Sequence, residues 1–185
     1  MVTKYDRIRK IKHYVTPKVK SGKYTQYMVF SQEELDAVPM DYEGEIQICF
    51  GTKDNPAIIK NRRNCKEIWI NGIDDPIYAK CYNCVNVNIE DYCELHDNSE
   101  GWSCQYANEI SAYDNSVILN AGIEAVVKLY DNATLKHSMW CDVHIFSPNV
   151  KLTNYHPESN RYICYDDNGN ISSSMLVKKE NIHTN

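Results

Sequence analysis

Cys81-Tyr-Asn-Cys84 and Cys93-Glu-Leu-His96 are the residues of this chain whose types and spacing most directly suggest chemistry. Together they form a C-x2-C-x8-C-x2-H arrangement. Thiolate and imidazole are the ligands of structural zinc, and two close pairs joined by the strand-like VNVNI would set four of them tetrahedrally around one ion. Four protein ligands leave no open position, so zinc at Cys81, Cys84, Cys93 and His96 would staple the fold and not catalyse. The same spacing also arises when Cys alternates inward along stacked strands, where it behaves as a small hydrophobe. A second cluster holds His137, Cys141, Asp142 and His144. On a strand Asp142 and His144 share a face and Cys141 takes the other. No third group stands ready to orient a base beside the thiol, as nucleophilic catalysis requires. Surface histidines beside a buried cysteine account for this cluster.

The phosphate-binding, dinucleotide-binding, HExxH and GxSxG motifs are all absent from the chain. The expectation is therefore a protein that is not an enzyme and carries no cofactor, apart from the structural zinc just described. Its 185 residues are enough for one domain with a small appendage. A 43% hydrophobic content and 14 Tyr against 3 Phe suit a folded chain with a tyrosine-studded surface, not a disordered one. No apolar run approaches a membrane span, and the N-terminus, MVTKYDRIRKIKHYV, is basic without the apolar core of a secretory leader. The expected location is the cytoplasm of a bacterial host, where eight cysteines read as free buried thiols or metal ligands and not as disulfides.

Charge is distributed unevenly. Residues 1–23 hold eight Lys or Arg and one Asp, a balance of +7 in a chain whose total is −5. The rest of the chain therefore carries −12. Residues 85–145 alone hold ten Asp or Glu and two Lys. The basic arm, with Tyr5 and Tyr14 interleaved, would grip nucleic-acid phosphates or lie as a solvated face against the acidic body. Tyr5, Ile8, Ile11 and Val15 fit one apolar helical stripe that Thr16-Pro17 should end.

The elements that must position these groups are short. Lys23–Phe30 reads as a strand, and Ser31-Gln-Glu-Glu34 as a capping box that opens a helix of about two turns, stopped by Pro39. From Gly44 onward come GEIQICF, PAIIK, KEIWING, PIYAKCY and CVNVNI, short and mostly alternating, separated by turn residues. Residues 106–150 then repeat a phrase: Tyr106-Ala-Asn-Glu-Ile110, Tyr113-Asp-Asn-Ser-Val117, Asn120-Ala-Gly-Ile123, Tyr130-Asp-Asn-Ala-Thr-Leu135, Trp140-Cys-Asp-Val143 and Phe146-Ser-Pro-Asn-Val150. Units of seven to ten residues cannot bury an apolar face alone, so they must stack. Asn, Asp and Gly would sit at corners that need left-handed backbone, with aliphatic and Cys residues facing a narrow core. The predicted fold is mainly β, a β-solenoid or β-helix of short stacked strands. An antiparallel sandwich with similar turns is the competing architecture.

SAYDNSVILNAG and KLYDNATLKH resemble the degenerate AYDNATV-type octad repeats of bacteriophage and low-GC bacterial proteins, over about residues 105–153. The resemblance implies a right-handed or pentapeptide-like β-helix and a mobile-element origin. It implies no shared activity. Beyond it, Arg161–Tyr165, Asp166–Asn170 and Ile171–Val177 read as a hairpin around an Asn-Gly turn, placed to cap the open end of the solenoid. The expected organisation is a basic arm and small α+β cap over 1–43, the solenoid over 44–153, and a hairpin cap and tail over 154–185.

If Asp114 and Asp131 lie one coil apart, their stacking makes a negative stripe that resembles a phosphate backbone. With Glu109, Glu124, Asp142, Tyr113 and Tyr130 it would form an acidic, tyrosine-rich surface. Its natural partner is a host protein with a basic nucleic-acid-binding groove, such as a CRISPR effector. The function expected on this basis is inhibition of that protein, anti-CRISPR-like or otherwise anti-defence. The alternative is a structural or glycan-binding solenoid of a virion or surface assembly, using exposed Tyr and Trp102.

Overall fold

A computed structural model describes residues 26–72, 74–103, 107–172 and 177–184. Its strands follow one another in chain order, with one short α-helix near the start and a 3-10 turn over Lys179–Asn181 at the end. They are β1 (Gln26–Val29), then helix α1 (Gln32–Asp36), β2 (Glu45–Ile48), β3 (Ala57–Lys60), β4 (Glu67–Ile70) and β5 (Tyr78–Tyr82). Next come β6 (Val87–Ile89), β7 (Tyr92–His96), β8 (Glu100–Trp102), β9 (Glu109–Ala112), β10 (Val117–Asn120) and β11 (Val126–Leu129). The last are β12 (Thr134–Leu135), β13 (Asp142–Ile145), β14 (Lys151–Leu152), β15 (Arg161–Tyr165) and β16 (Ile171–Ser172).

From β2 to β15 these strands alternate between two eight-stranded sheets. Sheet A runs β1-β2-β4-β6-β8-β10-β12-β14, and sheet B runs β16-β15-β13-β11-β9-β7-β5-β3. Every pairing is parallel except the last, where β16 turns back antiparallel on β15. The chain is thus a β-solenoid in which each coil lays one strand in each sheet. The units of the repeated phrase are half-coils. Tyr113 and Tyr130 occupy equivalent places one coil apart, because Val117 pairs with Thr134 on the strands that follow them. The phrases at Asn120 and Trp140 belong to the opposite margin, where Glu124 N donates to Trp140 O at 2.9 Å.

Alternation decides the core. On β2, β4, β7, β11 and β13 every second residue is buried, and these are Ile, Val, Leu and Cys. Ile46, Ile68, Ile110, Ile118, Leu129 and Ile145 are fully enclosed between the sheets. Cys49, Cys65, Cys81, Cys84, Cys93, Cys141 and Cys164 are all free and buried, filling core positions as small apolar groups. The parallel ladder reaches beyond residues 44–153 at both ends, since β1 pairs with β2 and β15 with β13.

The ladder ends are covered by specific contacts. Helix α1 is one turn long and not two. Ser31 Oγ accepts from Glu34 N at 3.2 Å, and Glu34 reaches back to Phe30 N at 2.7 Å. The Gln32 side chain acts as a surrogate strand on the β3 edge, donating to Ile58 O at 2.9 Å and accepting from Ile58 N at 3.0 Å. Buried Arg62 donates to Leu35 O at 3.1 Å and Val38 O at 2.9 Å, satisfying carbonyls at and just beyond the helix C-terminus. At the other end, the β15–β16 hairpin closes sheet B around the predicted turn, with Asp166 accepting from Asn168 N and Asn170 N. Ile182 bridges to Leu152 and covers the last rung of sheet A. The basic arm and its apolar stripe lie outside the described residues.

Ile110→Ala removes a fully enclosed side chain from the middle of the stack and should cost about 2–5 kcal/mol. Urea unfolding monitored by circular dichroism checks this. A loss near zero would mean that the core there is not closed.

Candidate functional site

The repeated phrase is a corner turn. In His96-Asp97-Asn98-Ser99, Tyr113-Asp114-Asn115-Ser116 and Tyr130-Asp131-Asn132-Ala133, the fourth residue donates its N–H to the carbonyl of the first at 3.1, 3.0 and 3.0 Å. The aspartates hold left-handed φ of 60°, 54° and 48°, a conformation that Asp and Asn tolerate better than most residues. Asn61 and Asn83 continue the same corner toward the N-terminus at φ 54° and 53°. The coils are tied together at this corner. Asp97 N donates to Asp114 Oδ2 at 3.0 Å, and Asp114 N donates to Asp131 Oδ2 at 3.1 Å. Asp97, Asp114 and Asp131 therefore form a row of exposed carboxylates, one per coil.

The residue before each corner points outward from sheet B, and these rings stack along the solenoid. Tyr82, His96, Tyr113, Tyr130, Phe146 and Tyr165 follow at centroid separations of 4.7, 4.6, 4.4, 4.5 and 4.4 Å, with planes within 11° of parallel. Lys60 Nζ closes one end, 5.9 Å from the Tyr82 centroid. Sequence reasoning found Tyr113 and Tyr130 and missed the rest. The signal was present, since each of the six directly follows a strand or ends one, but the ring type changes between Tyr, His and Phe.

Charged outward residues of sheet B pair with one another. Glu94 Oε2 accepts from Lys80 Nζ and His96 Nε2, both at 2.9 Å. Lys128 Nζ lies 2.7 Å from Glu109 Oε2, and Arg161 pairs with Asp142. A stacked pair, Tyr78 and Tyr92 at 4.2 Å, borders a groove of about 230 Å³ that Lys80, Glu94, Glu109 and Ser111 also line. Burial raises the Glu94 pKa, but hydrogen bonds from Lys80 and His96 outweigh it and hold the carboxyl below its ordinary value.

All seven residues that the sequence assigned to partner binding lie on this face or its margins. Glu109 and Asp142 are on strands β9 and β13, and Tyr113 and Tyr130 are in the ring ladder. Asp114 and Asp131 form the corner row, and Glu124 is exposed at the opposite margin with φ 65°. The acids are not one continuous stripe, because Glu109 and Asp142 have their own cations.

The zinc constellation is not assembled. Cys81, Cys84 and Cys93 face the core, with Cys93 Sγ 3.8 Å from Cys81 Sγ. His96 stands on the other side of the sheet, between Tyr82 and Tyr113. The cause is strand alternation: residues 93 and 96 are three apart and must point to opposite faces. Burial pushes the Cys65 thiol up to about 11, and the Cys84 thiol higher through its bond with Cys81 and burial, so both stay protonated near neutrality. Among the described residues no three His, Cys, Asp or Glu side chains come together as a metal site. The second cluster is dispersed as well. His137 bonds Asn154, and Cys141 Sγ donates to Gly122 O inside the core. His144, its pKa lowered by burial, bonds the Tyr165 hydroxyl at 2.8 Å.

Fold and face together define a two-sheet parallel β-solenoid whose second sheet presents a flat, ring-laddered, charge-paired surface edged by carboxylates. No protein-family model, curated protein or solved structure matches the chain. Among the described residues, no helix is long and apolar enough to cross a membrane.

Two predictions follow from these contacts. Tyr113→Ala removes two stacked neighbours, each worth about 0.5–1.5 kcal/mol beyond area burial, and should lower the melting temperature clearly more than Tyr113→Phe. Equal losses would show that the hydroxyl and not the stack matters. Glu94 has a folded pKa below its unfolded value of about 4.3, so its contribution is present above that value and fades as pH falls through the folded one. Glu94→Gln should therefore flatten the acid limb of the stability profile, measured by denaturant unfolding from neutral to acidic pH. An unchanged acid limb would remove Glu94 from the account.

Proposed function

We propose that this chain is a non-enzymatic, mobile-element binding protein that occupies the basic nucleic-acid-binding groove of a bacterial host protein, with an RNA-guided defence nuclease as the favoured target. It would act in the host cytoplasm. The observation that carries this reading is the row of exposed carboxylates at Asp97, Asp114 and Asp131, one per coil, edging the sheet B face. Parallel strands repeat at about 4.8 Å, so these charges add along one line and raise a field that a cationic groove would feel before contact. The body behind them carries −12 once residues 1–23 are set aside. The stacked rings and hydrogen-bonded corners hold the row rigid, which lowers the ordering cost of binding.

Glycan binding through this face has less support. Sugars stack on open ring faces, and the inner rings of the ladder have a neighbour within 4.7 Å on both sides. The groove beside Tyr78 and Tyr92 has its acids and Lys80 engaged with one another or with nearby cations.

The test is direct binding of a purified, guide-loaded RNA-guided nuclease at low and high salt, comparing the wild type with Asp97→Asn/Asp114→Asn/Asp131→Asn. Asparagine keeps the acceptor and tolerates the left-handed corner, so the fold should persist while the charge goes. The wild type should bind at low salt and release at high salt, and the triple variant should bind at least ~10-fold more weakly at low salt. Equal binding by the two proteins, or no binding by the wild type, would overturn the proposal.

A further inference from the structure

Trp140 breaks two rules at once. It holds φ +60°, a conformation in which a bulky side chain is an outlier, and its side chain is left 60% exposed. Its backbone is fully used by the solenoid: the N–H donates to Ser159 O at 3.0 Å, and the carbonyl accepts from Glu124 N at 2.9 Å. The fold thus needs a left-handed residue at this corner and has no use for an indole. The corresponding corner on the other margin is filled by Asp and Asn, as backbone preference dictates. Met139, 54% exposed, and Ile123, 36% exposed, stand beside Trp140 on this rung and the preceding one. Three of the five large apolar side chains exposed among the described residues, Met40 and Ile171 being the others, therefore share one corner.

We infer that Trp140, with Met139 and Ile123, is the apolar anchor by which this chain seats in a pocket on the same basic partner protein. The inference rests on the function proposed above. Trp is the residue type most enriched where interface energy concentrates, and such anchors are ringed by polar groups that exclude water. Here the ring is acidic on balance. Glu124 adjoins Ile123 and is exposed. Asp142, two residues from Trp140, is paired with Arg161, and Glu158, on the following rung, with His156, so the acids outnumber the one Arg. That charge suits a cationic rim around the pocket and disfavours an anionic one. The distances also agree. Glu124 and Asp131 mark the two margins of sheet B, seven residues apart in one coil. Even fully extended, that stretch would span at most roughly 23 Å. A standard interface covers about 800 Å² per partner, a patch roughly 30 Å across. One partner laid on sheet B therefore reaches the carboxylate row and the Trp140 corner together.

The test replaces Trp140 by Gly, which adopts φ +60° without strain. Trp140→Gly should keep or raise the melting temperature of the free protein. It should also weaken binding of the same guide-loaded nuclease roughly 30-fold or more, as loss of an anchor does. The fold-weakening should stay constant as salt is raised over the range in which the wild type still binds, whereas the effect of the triple Asp→Asn variant should shrink across it, because apolar burial is not screened. If the triple variant weakens binding and Trp140→Gly does not, the anchor is wrong and the proposed function stands. If the wild type does not bind the nuclease, both fall. A clear drop in melting temperature would make Trp140 structural. A change from dimer to monomer on ultracentrifugation would assign the corner to a second copy. Either result overturns the inference.

Discussion

Hydrogen-bonded parallel strands lie about 4.8 Å apart, and in a solenoid that spacing is imposed on every side chain at an equivalent place in successive coils. A flat ring needs close to that distance to stack on its neighbour, which is why the ladder from Tyr82 to Tyr165 closes at 4.4–4.7 Å without distortion. A carboxylate at a corner finds the backbone N–H of the preceding coil within reach for the same reason. The narrow core follows too. Ile68, Ile110 and Ile145 need only meet the coil on either side and the opposite sheet, so each rung is stabilised chiefly by its nearest neighbours. What cannot be met by neighbours is the end of the stack. There the chain uses non-repeating devices: the Gln32 amide on β3, Arg62 on the helix carbonyls, the β15–β16 hairpin and Ile182.

This dependence explains which features were legible in the sequence. The phrase at Tyr113 and Tyr130 announced stacked coils, because a corner that must be left-handed in every coil selects Asp or Asn at a fixed period. The coil length itself was hidden. Successive coils differ: the step is 17 residues from Val117 to Thr134, 14 from Tyr78 to Tyr92 and 22 from Ala57 to Ala79. Insertions at corners cost the ladder little, so they drift while the strands keep register. The ring ladder was half visible for a related reason. Stacking asks for a flat ring and not for a phenol, so His96 and Phe146 serve where a search for Tyr passes over them. The Cys81, Cys84, Cys93 and His96 arrangement looked like a metal site because spacing along the chain says nothing about facing. Strand alternation sends His96 outward and leaves three thiols as core packing.

The surface separates into groups that the fold consumes and groups that it leaves. Lys80, Glu94, Lys128, Glu109, Arg161 and Asp142 are engaged across neighbouring rungs, abreast for Lys80–Glu94 and Asp142–Arg161 and diagonally for Lys128–Glu109, where opposite charges stabilise a ladder. Surface pairs of this kind are worth about 0–1 kcal/mol each, so they chiefly set register and keep sheet B from pairing with another face. Asp114 and Asp131 do both. One carboxylate oxygen of Asp114 and of Asp131 closes a bond to the coil before it, and the charge still stands in solvent. An amide oxygen is also an acceptor and could take the same bonds; further down the corner Asn83 and Asn61 tie their coils through their side chains, Asn83 Nδ2 donating to Asn61 Oδ1 at 3.0 Å. The fold therefore requires an acceptor at this corner and does not require a negative one.

Trp140 poses the same question in a stronger form. A left-handed corner with both backbone groups engaged is best filled by Gly, Asn or Asp. An indole there adds local strain, exposes apolar area and contributes no enclosed packing to the core. Backbone geometry accounts for Asn61 and Asn83 completely, and it does not account for the charge of Asp97, Asp114 and Asp131. It accounts for Trp140 not at all. Where a chain obeys its local rules at one margin of a sheet and breaks them at the other, the departures mark what the scaffold was selected to present. In this molecule those departures frame a single face, with rigid carboxylates along one edge and an exposed indole at the other.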